Sequence, residues 1–262
     1  MRDLLVHYHI YKNAGSTIDN AIKKCLGKNV LLELDKDKRY KKNEIYDEEL
    51  IHSIIEEGSE CIAFSSHKMT PTVHRSDRYN FLPIVNIRHP LLRAGSVYRY
   101  ERIRKDEKPG KEYAKELNFS DWLNWSLNQT GYIESRNYQT TLMSIPDVNK
   151  GEKMTSIADI NIAKDRLNEM PVVGIVEYFD ETCRMLEAFI GNKFPSFSIG
   201  NSHDNRTKEV SSWKAELKEI QNTIPREVLI QFEEKNALDY EMFWYGVGKL
   251  RELKVPKLVS LA

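Results

Sequence analysis

Short apolar runs alternate with amphipathic helical stripes along the chain. This order predicts an α/β fold: a three-layer α/β/α arrangement with a central, mainly parallel sheet and a helical C-terminal region. Five runs are short and apolar enough to be strands covered on both faces: Leu4 to Ile10, Val30 to Leu34, Cys61 to Ser65, Leu82 to Ile87 and Val172 to Val176. The first helical stripe, Ile18, Ile22 and Cys25, lies in the run Ile18 to Leu26 and ends at Gly27. A second, Leu50, Ile51, Ile54 and Ile55, is opened by Asp47 and ended by Gly58. A third, Cys183, Leu186 and Phe189, is read as capped by Asp180, with Gly191 just past its end. The stretch from about Lys105 to Glu152 is polar and aromatic-rich and reads as an excursion from the α/β core. The final part is helical, with Pro225 at a helix start and aromatics at Tyr240, Phe243, Trp244 and Tyr245. With no repeat and no dividing linker, the 262 residues read as a single domain.

Composition narrows the function classes. Thirty-nine Lys and Arg balance thirty-nine Asp and Glu, which speaks against nucleic acid as the main partner. Basic character is local, at Lys38 to Lys42 and Arg99 to Lys105, and reads as solvated faces. Cys25, Cys61 and Cys183 are far apart in apolar segments and lack metal-ligand spacing, so buried free thiols in a reducing compartment are expected. The first strand starts too early to leave room for a leader, and no apolar run nears the roughly 20 residues of a membrane span. A cytoplasmic location is the expectation.

The most informative segment is the end of the first strand. His9-Ile10-Tyr11-Lys12-Asn13-Ala14-Gly15-Ser16-Thr17 passes from an apolar strand through a small-residue turn into a helix. Backbone N–H groups and the dipole at such a helix start favour an anion, so the segment reads as a P-loop-like cradle. It is not a Walker A loop, because Lys12 precedes the glycine and no lysine adjoins Ser16. A helix merely capped by Ser16 or Thr17 is the plain alternative. A second constellation follows the strand Leu82 to Ile87: Arg88-His89-Pro90, with Arg93, Ser96 and Tyr98 in the next helix. Pro90 suits the first helical turn. Arg88 then lies at the same sheet edge as the first loop, with a planar donor fork suited to phosphate; a structural ion pair is the plain alternative.

With these two segments the chain resembles the sulfotransferases that use 3′-phosphoadenosine 5′-phosphosulfate (PAPS), closest to the carbohydrate branch that contains heparan sulfate 2-O- and 6-O-sulfotransferases. The resemblance extends to Asn137-Tyr138-Gln139-Thr140-Thr141-Leu142, to Val173 through Asp180 and to Asn236-Ala237-Leu238-Asp239-Tyr240, in the family's order. Tyr11 and Asn13 stand where proline and threonine are common, and His89 where aspartate is frequent. The resemblance implies sulfuryl transfer from PAPS to an acceptor hydroxyl, with PAP as product and no metal. It implies that Lys12, Asn13, Ala14, Gly15, Ser16 and Thr17 hold the 5′-phosphosulfate, and Arg88 and Ser96 the 3′-phosphate. It also implies a loop that closes over the nucleotide in the polar segment Asn201 to Lys208, from which Arg206 or Lys208 reaches a phosphate; a plain surface loop is the alternative.

Lys12 is the candidate for stabilising charge on the leaving phosphate. His67, directly after the strand Cys61 to Ser65, is the candidate base, because imidazole titrates near neutrality; a hydrogen-bonded structural histidine is the plain alternative. His74 and Glu177 are alternative bases, and Glu177 can instead orient Lys12 or Arg88. His7 and His9 lie within a strand and read as core or supporting residues. Acceptor contacts are expected between Tyr98 and Tyr138, where Trp122, Trp125 and Tyr132 can stack on sugar rings or else fill a core. A P-loop-like small-molecule kinase and a PAP-binding domain without catalysis are the competing functions.

Overall fold

In a computed structural model of the chain, the residues described are 1–27, 30–32, 53, 56, 62–67, 69, 71, 77–105, 109–144, 158–200 and 212–254. Among them, strands β1 (Arg2–Tyr8), β2 (Val30–Leu32), β3 (Ala63–Ser66), β4 (Tyr79–Ile87) and β5 (Val173–Ile175) form one sheet in the order β2-β3-β1-β4-β5. Every pairing is parallel. Tyr8 lies opposite both Ser66 and Val85, and Ile87 lies opposite Ile175. The carboxyl ends of β1, β3, β4 and β5 therefore share one edge, where α/β sheets bind ligands.

The helices are α1 (Gly15–Leu26), α2 (Pro90–Glu101), α3 (Pro109–Glu116), α4 (Phe119–Asn128), α5 (Tyr138–Ser144), α6 (Ile160–Glu169), α7 (Phe179–Gly191), α8 (Trp213–Asn222), α9 (Arg226–Lys235) and α10 (Ala237–Lys254). Strand side chains alternate between faces, and β1 divides accordingly. Leu4, Val6 and Tyr8 pack with Leu142 and Met143 of α5, Leu167 of α6, and Phe243 and Val247 of α10. Leu5 packs on the other face with Ile18 and Ile22 of α1 and Leu186 and Ile190 of α7. These are the three layers expected from the sequence. None of the described helices is long and apolar enough to cross a membrane.

Several boundaries differ from the expectation for local reasons. Helix α1 starts three residues before Ile18, because Ala14 takes a left-handed conformation (φ 61°) and reverses the chain there. A short 3₁₀ turn, Val176–Tyr178, leads from β5 into α7, so Tyr178 is the N-cap and Asp180 falls in the first turn. Gly191 is the last helical residue rather than the one beyond it. Pro90 opens α2 and Pro225 caps α9, as expected. Cys183 is buried, whereas Cys25 is only half-buried, with its sulfur 3.2 Å from the Ser196 hydroxyl. The stripe from Leu50 to Ile55, the basic run Lys38 to Lys42 and Cys61 lie outside the described residues.

The described part of the middle excursion forms α3, α4 and α5. Trp122 is fully buried among Leu91, Val97, Leu127 and Phe232, with its ring 5.4 Å from that of Tyr98. Trp125 stacks on Tyr113 at 4.3 Å and also meets Tyr132 at 5.1 Å. Helical packing has thus taken up Trp122, whereas Trp125 and Tyr132 stay half-buried.

Helices α5 and α10 cap one another across the chain. Asp239 of α10 accepts from the backbone N–H of Gln139 (3.1 Å) and of Thr140 (2.7 Å), the second and third positions of α5. In return the Asn137 side chain accepts from the backbone N–H of Leu238 (3.1 Å) and Asp239 (3.2 Å) at the start of α10. Helix starts present unpaired donors, and here each helix satisfies the other's. Asp239→Ala would orphan two buried N–H groups and the Thr140 hydroxyl. It should lower the unfolding free energy by about 3 kcal/mol, read from urea denaturation. A loss below about 1 kcal/mol would contradict the reciprocal cap.

Candidate active site

The loop after β1 is shaped by its backbone. Lys12 (φ 68°) and Ala14 (φ 61°) are left-handed while Asn13 and Gly15 are not. Alternating signs of φ turn successive N–H groups toward one concavity, which is an anion-binding nest. No side chain caps α1, so Ser16 and Thr17 do not play the plain capping role. Gly15 is needed for close approach rather than for its torsions. The His9 ring lies against it, and a Cβ at this position would collide with that ring.

Asn13 anchors the loop instead of facing outward. It is buried, its side-chain amide donates to the Asn86 carbonyl and to Gln139 Oε1, both at 2.7 Å, and its backbone N–H donates to the Ile10 carbonyl (3.2 Å). The donors expected of Asn13 are therefore spent within the protein. Gln139 Oε1 also accepts from the Arg88 N–H (2.9 Å), and Gln139 Nε2 donates to the Arg88 carbonyl (2.8 Å). One buried amide thus fixes both the first loop and the residue after β4.

The cations converge at this edge. The Lys12 ammonium lies 4.4 Å from the Tyr100 ring centroid, a favourable cation–π position. Burial lowers its pKa, Arg88 and Arg99 lower it further, and Glu101 opposes them. The Tyr11 hydroxyl donates to Glu101 Oε1 (3.2 Å). The Arg88 guanidinium donates to the Lys12 carbonyl (3.0 Å), with its Nε 3.7 Å from Glu177 Oε1. That Nε is buried without a hydrogen-bond partner, which suits a site completed by an anionic ligand. Ser96 is half-buried further along α2 and is not among the partners of Arg88.

Glu177 follows β5 and steadies the Arg88 segment, since its Oε2 accepts from the His89 N–H (3.1 Å). It orients Arg88, one of the two roles the sequence suggested. His89 is buried, with its ring 5.3 Å from that of Tyr240 and 5.2 Å from that of Phe243.

His67 stands one residue past β3 and is exposed. Its Nδ1 is 2.5 Å from the His9 carbonyl, and the two rings are 4.1 Å apart. A carbonyl can only accept, so Nδ1 carries the proton and the neutral ring holds its lone pair on Nε2. Behind it, His9 Nδ1 is 3.0 Å from Asp19 Oδ2, and His7 Nδ1 is 2.6 Å from Asp19 Oδ1 and 3.0 Å from the Ser65 hydroxyl. The donor atoms of His7, His9 and Asp19 all lie within 4.8 Å of one another. The nitrogen–oxygen separations are of hydrogen-bond length, so protons suffice to join the three.

Lys12, His67, Arg88 and Glu177 thus follow four strand ends on one sheet edge. His74, Arg206, Lys208 and the rest of Asn201 to Lys208 lie outside the described residues. The sequence reading did not find Asp19, Tyr100 or the proximity of Arg99, and it named Gln139 and Asp239 only within the stretches that carry the resemblance, without a role. For Asp19 a signal existed: a carboxylate within the Ile18–Ile22 stripe, facing the side of β1 that carries His7 and His9.

Fold and site define a P-loop-like α/β protein with an anion-binding loop and a second cation at the neighbouring strand end. Residues 1–246 match the model of the sulfotransferase family, and the chain belongs to that family. An uncharacterized protein of Archaeoglobus fulgidus is 28% identical over 265 residues, covering 96% of this chain and 98% of that protein.

Glu177 supplies a test of the edge. Burial pushes its carboxyl up to about 7, despite Arg88, whereas an unfolded glutamate titrates near about 4.3. The folded state binds this proton more tightly, so the stability Glu177 contributes is complete below the lower value and is lost as pH rises through the upper one. Glu177→Gln stays neutral and escapes that loss. Denaturant midpoints of variant minus wild type should rise between about pH 5 and pH 7.5. His89, pushed down to about 4 by burial and then by Arg88, acts in the opposite sense in both proteins and largely cancels. A difference that stays flat over this range rules out the raised carboxyl.

Proposed function

We propose that the protein transfers a sulfuryl group from PAPS to a hydroxyl of a carbohydrate acceptor, with His67 as general base. The observation that carries this reading is the convergence of an uncapped helix start, Lys12, His67 and Arg88 on one sheet edge. A ligand with phosphate groups at two ends fits the nest and Arg88 together. In this reading the backbone N–H groups from Ala14 to Ser16, the hydroxyls of Ser16 and Thr17, and Lys12 hold the phosphosulfate end, the Thr17 N–H being spent on the Ala14 carbonyl (3.1 Å). Arg88 and Ser96 hold the 3′-phosphate, joined by Arg206.

PAPS, when bound, supplies the sulfuryl group for an in-line displacement. Lys12 places positive charge where the departing phosphate oxygen gains negative charge. Nε2 of His67 accepts the proton of the attacking hydroxyl. Glu177 and Gln139 keep Arg88 in place. The carbohydrate acceptor rests on the sequence resemblance. Products from labelled PAPS and a panel of glycans, identified by mass spectrometry, test it directly.

PAP should raise the melting temperature without added metal; stabilisation by magnesium-ATP and not by PAP would favour the kinase reading. Arg88→Ala should weaken PAP binding by about 2–5 kcal/mol, read by calorimetry, and unchanged affinity would place the 3′-phosphate elsewhere. His67→Ala should lower kcat by about 10²- to 10⁴-fold with PAP affinity intact. Full activity in that variant sinks the base assignment. PAP binding with no transfer to any acceptor would favour a silent domain.

A further inference from the structure

Asp19 is buried in α1 and belongs to neither of the two anion sites, yet both of its oxygens are engaged by histidines of the neighbouring strand segment. We propose that Asp19 is a positioning residue which, acting through His9, sets the orientation and tautomer of His67. The proposal rests on the reading of His67 as the base.

The chain of contacts runs in one direction. Asp19 stays ionised: burial pushes its carboxyl up, but the bonds to His7 and His9 outweigh this and hold it far below its ordinary range. A carboxylate only accepts, so the 3.0 Å contact requires the proton of His9 to sit on Nδ1. The His9 ring is then confined on several sides. It lies against Gly15, it stacks on His7 at 5.1 Å, and it meets His67 at 4.1 Å. Confining His9 also fixes its carbonyl, which accepts from His67 Nδ1. With the proton on Nδ1, the lone pair of the neutral His67 ring is on Nε2. His7 braces the other carboxylate oxygen, so Asp19 has little freedom to turn. A tie between α1 and β1 needs only one histidine. The second, at the sheet edge and in contact with His67, is what a positioning role requires.

Asp19→Asn is the discriminating variant. Its amide can accept from one imidazole N–H but must donate to the other ring, which forces one of the two histidines into the opposite tautomer. In the full-length protein, long-range proton–nitrogen NMR should show His67 as the Nδ1–H tautomer in wild type and as a mixture in Asp19→Asn. The variant's kcat should fall at least tenfold while PAP affinity stays within about twofold. An unchanged His67 tautomer, or wild-type kcat, overturns the proposal. If Asp19→Asn does not fold, His9→Phe keeps a ring against Gly15 and His67 but removes the bond to Asp19. The same tautomer shift and loss of kcat are expected from it, and their absence overturns the proposal equally. A shifted tautomer together with full activity in His67→Ala would instead overturn the base assignment. The two failures are therefore distinguishable.

Discussion

The side-chain amide of Gln139 is the constraint on which the rest of the site depends. Fully buried, it accepts from Asn13 and from the Arg88 N–H, and it donates to the Arg88 carbonyl and, at 3.4 Å, to Asp239. A buried polar group left unpaired costs about 1–3 kcal/mol, so these contacts form as a set or fail as a set. Three segments distant in sequence thereby acquire one geometry: the first loop, the residue after β4, and the capped pair α5 and α10. The motifs around Asn137 and Asp239, about a hundred residues apart, are two halves of a single structural device.

Charge is arranged around that scaffold. Lys12, Arg88 and Arg99 repel one another at the edge, and burial adds to the cost of each charge on Lys12 and Arg88. Glu177, Glu101 and the π face of Tyr100 offset part of this. Two non-glycine residues in the left-handed region add local strain, of order 1–3 kcal/mol each. A loop in this state gains more from an anion than a relaxed, hydrated loop would. Preorganised donors of this kind cost no rearrangement when charge develops in a reaction.

Elements of the sheet were legible because burial on both faces demands continuous apolar runs, and those at Leu82 to Ile87 and Val172 to Val176 are unambiguous. The site was legible where it sits at a strand end. Lys12, His67, Arg88 and Glu177 all follow apolar runs directly, and a parallel sheet brings such positions to one edge. Legibility failed where the partner is remote. Asp180 looked like a cap because local capping chemistry favours it, but the 3₁₀ turn after β5 moved the helix start. Trp122 looked able to meet a sugar, yet packing against α2 and α9 buries it. Asn13 looked like an anion donor until Gln139, distant in sequence, was seen to take its amide.

The sequence by itself determined the layer order, the strand ends and the residue types that can hold an anion, because periodicity and strand-to-helix turns are local properties of the chain. Only the tertiary structure decided which donors remain directed outward, which aromatics are spent on packing, and that Asp19 stands behind His9 and His67. Those outcomes depend on hydrogen bonds between segments far apart in the chain. No local pattern records which of several possible partners a buried polar group will find.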